Sequence, residues 1–369
     1  MANSSNIFFV HTTFQLYIAQ MVITQEKLQN NILVLGYVGN NIHFMPIYDT
    51  LLINSYWSAI YEMPKVAEWA AIDLRHPIRS YIQFVKNLSF INKIVRKHSV
   101  NRLYFGDLNN LSCKYGSLYF KKKGLEICFY EEGTSHYRFI KHKLFSGPSW
   151  IAKIIAVLYD LFLFLPVGKF RFAHWRFMED FPIDRIPYSV RYSLVPQYHE
   201  TYDHLLVNKG VLSEKTVALI NRECTTLSES HVLFLEQPIY ELAAGSEKVF
   251  LSLIEQCFLQ MNNQTIVIKY HPREKKTIRN QIEDILNKHN INFCIIGNEI
   301  NIPAEIYLSH CHFSKMITFF SSTTMYNGYL YDKIKIDFLL VEFADACRNS
   351  NVELGPELTG MLEYYTKSN

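Results

Sequence analysis

Three short stretches carry the residue types that do acid–base and phosphate chemistry. The first is Lys269-Tyr270-His271-Pro272-Arg273, an imidazole and two cations that follow the apolar run Ile266-Val267-Ile268. Pro272 cannot continue a hydrogen-bonded ladder, so the strand ends there. A helical pattern follows from Thr277 to Lys288, with Ile278, Ile282, Ile285 and Leu286 on one face. A strand that ends in such groups and feeds a helix sets them at the carboxyl edge of a parallel sheet, where ligands of α/β proteins bind. A surface loop with an ordinary histidine and solvated charges fits the same residues.

The second stretch is Glu131-Glu132-Gly133, at the end of the strand pattern Glu126 to Tyr130. Neighbours in a strand point to opposite faces, so one carboxylate at most serves a given site. Gly133 permits a tight turn or the close approach of a substrate. An exposed acidic turn is the plainer reading. The third stretch is Ser321-Ser322-Thr323-Thr324, after the strand pattern Lys315 to Phe320 and before a predicted helix at Met325 to Leu330. Hydroxyls there can cap a helix, or hold a phosphate beside the free N–H groups. Four in a row exceed what one cap requires. There is no GxxxxGK[ST] and no GxGxxG, hence neither a P-loop nor a dinucleotide fingerprint.

The elements that position these stretches alternate strand and helix. Ile7 to Val10 reads as a strand, and His11-Thr12-Thr13 leads into a helix with Leu16, Ala19, Gln20 and Ile23. Further strands are predicted at Ile32 to Tyr37 and Arg102 to Phe105, with helices at Ile82 to His98 and Cys113 to Lys123. Pro182 to Pro196 is rich in Pro and Tyr and reads as a linker. The rhythm restarts at His231 to Leu235, which ends in Glu236-Gln237-Pro238, and continues with strands at Thr265 to Tyr270 and Asn292 to Ile296. The pattern predicts an α/β protein.

At 369 residues the chain is too long for one ordinary core, so two domains are expected. Apolar residues make up 49% and aromatic ones 15%, which excludes a disordered chain. A net charge of +3 does not point to nucleic acid. The seven cysteines include no CxxC pair and read as reduced core residues of a cytosolic protein. The N-terminus has no positive n-region and predicts no signal peptide. The apolar segment Ser149 to Phe164 has cationic flanks at Lys141, Lys143, Lys169 and Arg171. It reads as a core or dimer helix, or as one lying on an anionic membrane at the inner face of the plasma membrane.

Three strand ends with polar groups, in the order Glu131-Glu132-Gly133, His271-Pro272 and Ser321-Ser322, resemble the motifs of the bacterial GT-B sialyltransferases. The closest likeness is to the lipooligosaccharide and capsule sialyltransferases and the bacterial polysialyltransferases. Ile7 to Leu16 is similar to their first βα unit, and Thr318-Phe319-Phe320-Ser321-Ser322 to their strand before the serine motif. The resemblance implies two Rossmann-like domains facing a central cleft. The first, residues 1–190, would bind the acceptor; the second, 191–345, the CMP-sugar; and 346–369 would return to the first. The implied reaction moves sialic acid from CMP-sialic acid to a hydroxyl of a glycan or lipid-linked glycan, with inversion, without a metal or other cofactor.

The resemblance also implies roles. One of the acidic pair, Glu132 before Glu131, accepts the proton of the attacking hydroxyl. His271, protonated, assists the leaving phosphate. Ser321, Ser322 and Thr323 hold that phosphate with Pro272 and Gln237 nearby, and Lys269 or Arg273 adds positive charge. His11, Thr12, Thr13 and Gly133 would line the cleft in the first domain. Some relatives carry an aspartate base near the turn after the strand that ends at Glu236; here Glu236 and Glu241 are the nearest acids. Another CMP-nonulosonic acid such as pseudaminic acid remains open as donor, and a non-catalytic glycan-binding protein remains open as the class.

Overall fold

The computed structural model describes residues 4–36, 45–63, 77–106, 111–131, 188–195, 203–207, 210–225, 231–261 and 264–368. The chain forms two compact units, Met1–Ser213 and Glu214–Asn369, each built on one parallel sheet.

In the first unit the strands are β1 (Ser5–Val10), β2 (Asn31–Leu35), β3 (Trp57–Glu62), β4 (Val100–Phe105), β5 (Glu126–Tyr130), β6 (Val190–Ser193) and β7 (His204–Leu205). They lie in the order β3-β2-β1-β4-β5-β6-β7, with every pairing parallel. All six residues of β1 are buried, as a central strand covered on both faces requires. Phe8 stacks on Tyr104 at 4.1 Å and Phe9 on Phe105 at 4.6 Å, which joins β1 to β4 across the middle of the sheet. The helices are α1 (Thr13–Glu26), α2 (Met45–Leu51), α3 (Pro77–His98) and α4 (Leu111–Lys122). Leu88, Ile91 and Ile94 of α3 cover the side of the sheet that presents Ile7, Phe9, Val34 and Phe105.

The stretch read as a linker is partly sheet. β6 and β7 extend the first sheet, and the chain after β7 stays tied to this unit. Val207 N–H donates to Gln25 Oε1 at 3.2 Å, Gly210 N–H to the Tyr17 hydroxyl at 3.1 Å, and the Ser213 hydroxyl to the Thr50 carbonyl. The first unit therefore runs to residue 213 and not to 190. The apolar segment 149–164 lies outside the described residues. No described helix is long and apolar enough to cross a membrane.

The second unit holds β8 (Val232–Leu235), β9 (Ile266–Lys269), β10 (Phe293–Ile295), β11 (Lys315–Thr318) and β12 (Lys335–Phe338), in the order β10-β9-β8-β11-β12 and all parallel. Its helices are α5 (Glu214–Cys224), α6 (Glu247–Leu259), α7 (Lys276–Lys288), α8 (Ala304–His310), α9 (Leu340–Asn349) and α10 (Pro356–Ser368). Phe250, Ile254 and Phe258 form the buried stripe of α6, and Ile278, Ile282 and Leu286 that of α7. Spacing of four residues puts each set on one helical face. Each such buried side chain contributes about 1.5–3 kcal/mol.

The C-terminal helices also differ from the expectation. α9 packs on α6, and α10 packs on the 3₁₀ turn Ile239–Leu242. Gly355 N–H donates to the Leu242 carbonyl at 3.0 Å, and Leu358 is fully buried in the core of the second unit. The tail thus belongs to the second unit, where it braces the turn that follows β8.

Candidate active site

Parallel strands bring their carboxyl ends to one edge. In the second unit that edge carries the residues after β8 (Glu236, Gln237), after β9 (Tyr270, His271) and after β11 (Phe319 to Ser321). Strand order reverses between β8 and β11, so this is the switch point of the sheet, where ligands of open α/β sheets bind. Two neighbouring side chains of the β8 turn hold the other two ends. Gln237 Oε1 accepts from Phe320 N–H at 2.7 Å and from the Thr318 hydroxyl at 3.4 Å. Glu236 Oε2 accepts from His271 N–H at 3.1 Å. Gln237 therefore ties the turn after β8 to the loop after β11. Gln237→Ala removes the acceptor of the Phe320 N–H. It should lower stability by about 1–3 kcal/mol, read as a shift of the urea midpoint, and weaken CMP binding in the same variant.

His271 is half-buried, and its Nδ1 accepts from Arg273 N–H at 3.2 Å. The neutral ring then carries its proton on Nε2. Burial, with the charges of Arg273 and Lys269, pushes its pKa down to about 4. Near neutral pH the free protein therefore presents a neutral imidazole with one N–H to donate, where the sequence suggests a protonated one. A bound phosphate brings negative charge, which raises the ring's affinity for a proton.

Of the two cations, Arg273 is exposed and Lys269 is buried. Lys269 Nζ donates to Asn301 Oδ1, and Asn301 Nδ2 donates to the Tyr270 carbonyl at 3.2 Å. Burial lowers the Lys269 pKa to about 8, and the carboxylates of Glu305 and Glu223 oppose that shift. Glu305 is itself buried, which raises its pKa, and Oε1 accepts from the Thr323 hydroxyl at 2.9 Å. Lys269 thus serves the interior behind the site, through Asn301, and faces the charge that holds the serine loop.

The serine loop resolves into separate tasks. Ser321 caps the 3₁₀ turn Ser322–Tyr326 by accepting from Thr323 N–H at 3.3 Å. The Thr323 hydroxyl goes to Glu305 and the Thr324 hydroxyl to the Ser321 carbonyl at 2.7 Å. The Ser322 side chain makes no hydrogen bond among the described residues, and the Ser321 hydroxyl, an acceptor in its cap, keeps a proton to give. The helix predicted at Met325 to Leu330 does not form. The Tyr331 hydroxyl donates to the Thr323 carbonyl at 2.7 Å, while Asn327 N–H bonds to Thr324, three residues back. Gly328 then turns the chain at φ +82°. A phosphate here meets hydroxyls and turn N–H groups, without the dipole of a long helix.

In the first sheet the order reverses between β1 and β4, and His11-Thr12-Thr13 follow β1 at that switch point. Thr12 Oγ1 accepts from Gln15 N–H at 3.1 Å, and Gln15 Oε1 accepts from His11 N–H at 2.5 Å. This is a reciprocal cap of the capping-box kind. His11 and Thr13 are buried, and Thr12 is exposed. A Cβ on Gly36 would lie 2.3 Å from His11 Nδ1. Gly36→Ala should displace the His11 ring and cost about 1–3 kcal/mol by overpacking, measured by thermal melting.

Glu131 is fully buried, and its Oε2 accepts from the Ser193 hydroxyl at 2.8 Å and from Leu194 N–H at 2.7 Å. It fastens the end of β5 to the end of β6. Glu132 and Gly133 lie outside the described residues. The residues that sequence reasoning missed are Glu274, Arg279, Asn301 and Glu305. Glu274 stands two positions after Pro272, a signal within the motif; nothing in the sequence marks Asn301 or Glu305. Among the described residues no group of three His, Cys, Asp or Glu is placed to hold a metal.

The sequence profile of the family described as alpha-2,8-polysialyltransferase (POLYST) matches residues 6–339. The chain belongs to the alpha-2,8-polysialyltransferase family. No curated protein matches it in sequence. Among solved structures it is similar to an α/β-galactoside α-2,3-sialyltransferase from Photobacterium phosphoreum, at 11% identity and a TM-score of 0.52, over 92% of this chain and 90% of that one. It is also similar to a UDP-glucosyltransferase from Polygonum tinctorium, at 9% identity and a TM-score of 0.50, over 92% and 80% of the two chains. These likenesses show the GT-B type of fold, which the two parallel sheets share.

Proposed function

We propose that the protein transfers sialic acid from CMP-sialic acid, with inversion, to a sialic acid that ends a glycan chain, building an α-2,8-linked polymer of a capsule or lipooligosaccharide. Family membership over residues 6–339 is the observation that carries this reading. The edge of the second sheet supports it, because its groups suit the departing nucleotide. His271 Nε2–H donates to a phosphate oxygen of CMP as the glycosidic bond breaks. The hydroxyls of Ser321 and Ser322 hold the same phosphate, and Arg273 supplies the exposed positive charge. The incoming hydroxyl gives its proton to a carboxylate, assigned to Glu132. The leaving charge is met by the chain's own donors, so the reaction proceeds without a metal.

The donor is tested by offering CMP-sialic acid, CMP-pseudaminic acid and UDP-glucose with a sialylated oligosaccharide, and weighing the products by mass spectrometry. Extension by sialic acid residues supports the proposal. Extension with pseudaminic acid alone changes the donor. A protein that is stabilised by glycan but not by CMP in thermal melting is a binding protein of the same fold.

A further inference from the structure

We propose that Glu236 and Glu274 form a carboxylic acid–carboxylate pair whose single shared proton holds His271 in its working position, making both glutamates positioning residues. The inference rests on the reading of His271 as the group at the leaving phosphate. Glu236 and Glu274 are 2% and 6% exposed, so the pair is out of water. Both grip the backbone of His271, Glu236 by accepting from its N–H and Glu274 by donating its own N–H to its carbonyl at 2.9 Å, and a proton shared between the two carboxyl groups would satisfy both. The outer oxygens are engaged elsewhere. Glu236 Oε2 accepts from His271 N–H at 3.1 Å, and Glu274 Oε1 accepts from the Tyr240 hydroxyl at 2.5 Å and from Lys275 N–H at 2.8 Å. Glu236 Oε1 and Glu274 Oε2 are both buried, and neither has a hydrogen-bond partner among the described residues. At the carbonyl of the same residue, Arg279 donates to His271 at 3.1 Å.

The loop that bears the imidazole is thus gripped at its N–H by one carboxyl, which the proton locks to the other. Losing the proton puts two anions in contact in a buried site, which like-charge repulsion opposes. Burial and Glu274 raise the pKa of Glu236 well above the ordinary carboxylate range. The groups facing the pair are Tyr240 on the turn after β8, Tyr270, His271 and Lys275 between β9 and α7, and Arg279 on α7. Glu236 keeps its proton below its raised pKa, and the grip on His271 opens as the pH rises through it.

Glutamine at 236 reproduces the protonated pair, since its oxygen accepts from His271 N–H and its amide donates to Glu274. The test measures kcat and donor KM against pH for the wild type, Glu236→Ala, Glu236→Gln, Glu274→Gln and His271→Ala, with melting temperatures for each. Glu236→Ala should lose about 10²-fold in kcat, as loss of positioning does, with a smaller change in KM. Glu236→Gln should recover most of that loss and shift the alkaline limb to higher pH; Glu274→Gln should shift it likewise. A Glu236 that served as the base would lose as much with glutamine as with alanine, which overturns the proposal. So does a Gln variant whose alkaline limb matches the wild type. If Glu236→Ala fails to fold, the two Gln variants decide alone. Full activity of His271→Ala defeats the reading of the site, whereas an inactive His271→Ala beside a fully active Glu236→Ala defeats only the pair.

Discussion

His271→Ala loses on the order of 10²–10⁴-fold in turnover, the range removed with a group that assists proton or charge transfer. The loss appears mainly in kcat. In the proposed site Ser321, Ser322 and the turn N–H groups would still hold the phosphate, so CMP affinity should fall less than the rate. The interaction removed is one that grows as charge builds on the leaving oxygen, and such interactions act on kcat more than on ground-state binding. His271→Asn places an amide near the position of the ring and should restore part of the rate, because the ring is neutral in the free protein and acts through an N–H. Steady-state kinetics and CMP calorimetry on the same preparations check both statements. A near-normal rate for His271→Ala makes the histidine a structural residue at a strand end.

The second large effect concerns the acidic pair. Glu132→Gln keeps the size of the side chain and removes the proton acceptor, so turnover collapses on the order of 10²–10⁴-fold. CMP binding survives, because this group serves the acceptor and not the nucleotide. Glu131→Gln behaves differently for a reason the structure shows. Its carboxylate accepts from Ser193 and Leu194 inside the first unit, and hydrogen bonds to a charged group are worth about 1.5–3 kcal/mol. The Glu131 variant therefore melts at lower temperature, and any fall in rate follows the fall in folded protein. The opposite ranking moves the base to Glu131. Loss from neither returns attention to Glu236 and Glu241.

The sequence was most readable where periodicity and a breaker coincide. Ile266 and Ile268 alternate into a buried strand, Pro272 stops it, and Ile278, Ile282 and Leu286 recur at helical spacing. Those three signals placed His271 at a sheet edge before any fold was known. The placement of Glu131 was half readable: alternation says that one carboxylate of the pair turns inward, and burial shows Glu131 to be inward. β6 and β7 were not readable, because strands of four and two residues at a sheet margin carry too few side chains to show a period. The helix after Ser322 failed for a tertiary reason, since Tyr331 takes the carbonyl that its next turn needed. Glu236 and Glu274 follow two different strands, and the parallel pairing of β8 with β9 brings both to the backbone of His271.

The most direct measurement follows CMP release and product mass over time, with CMP-sialic acid as donor and a glycan ending in sialic acid as acceptor. Wild type and His271→Ala are run side by side in the presence of EDTA. The account predicts a ladder of products that grows by one sialic acid at a time, matched by CMP, unaffected by the chelator and nearly abolished in the variant. CMP release with no acceptor extension, or a ladder made equally well by His271→Ala, contradicts it.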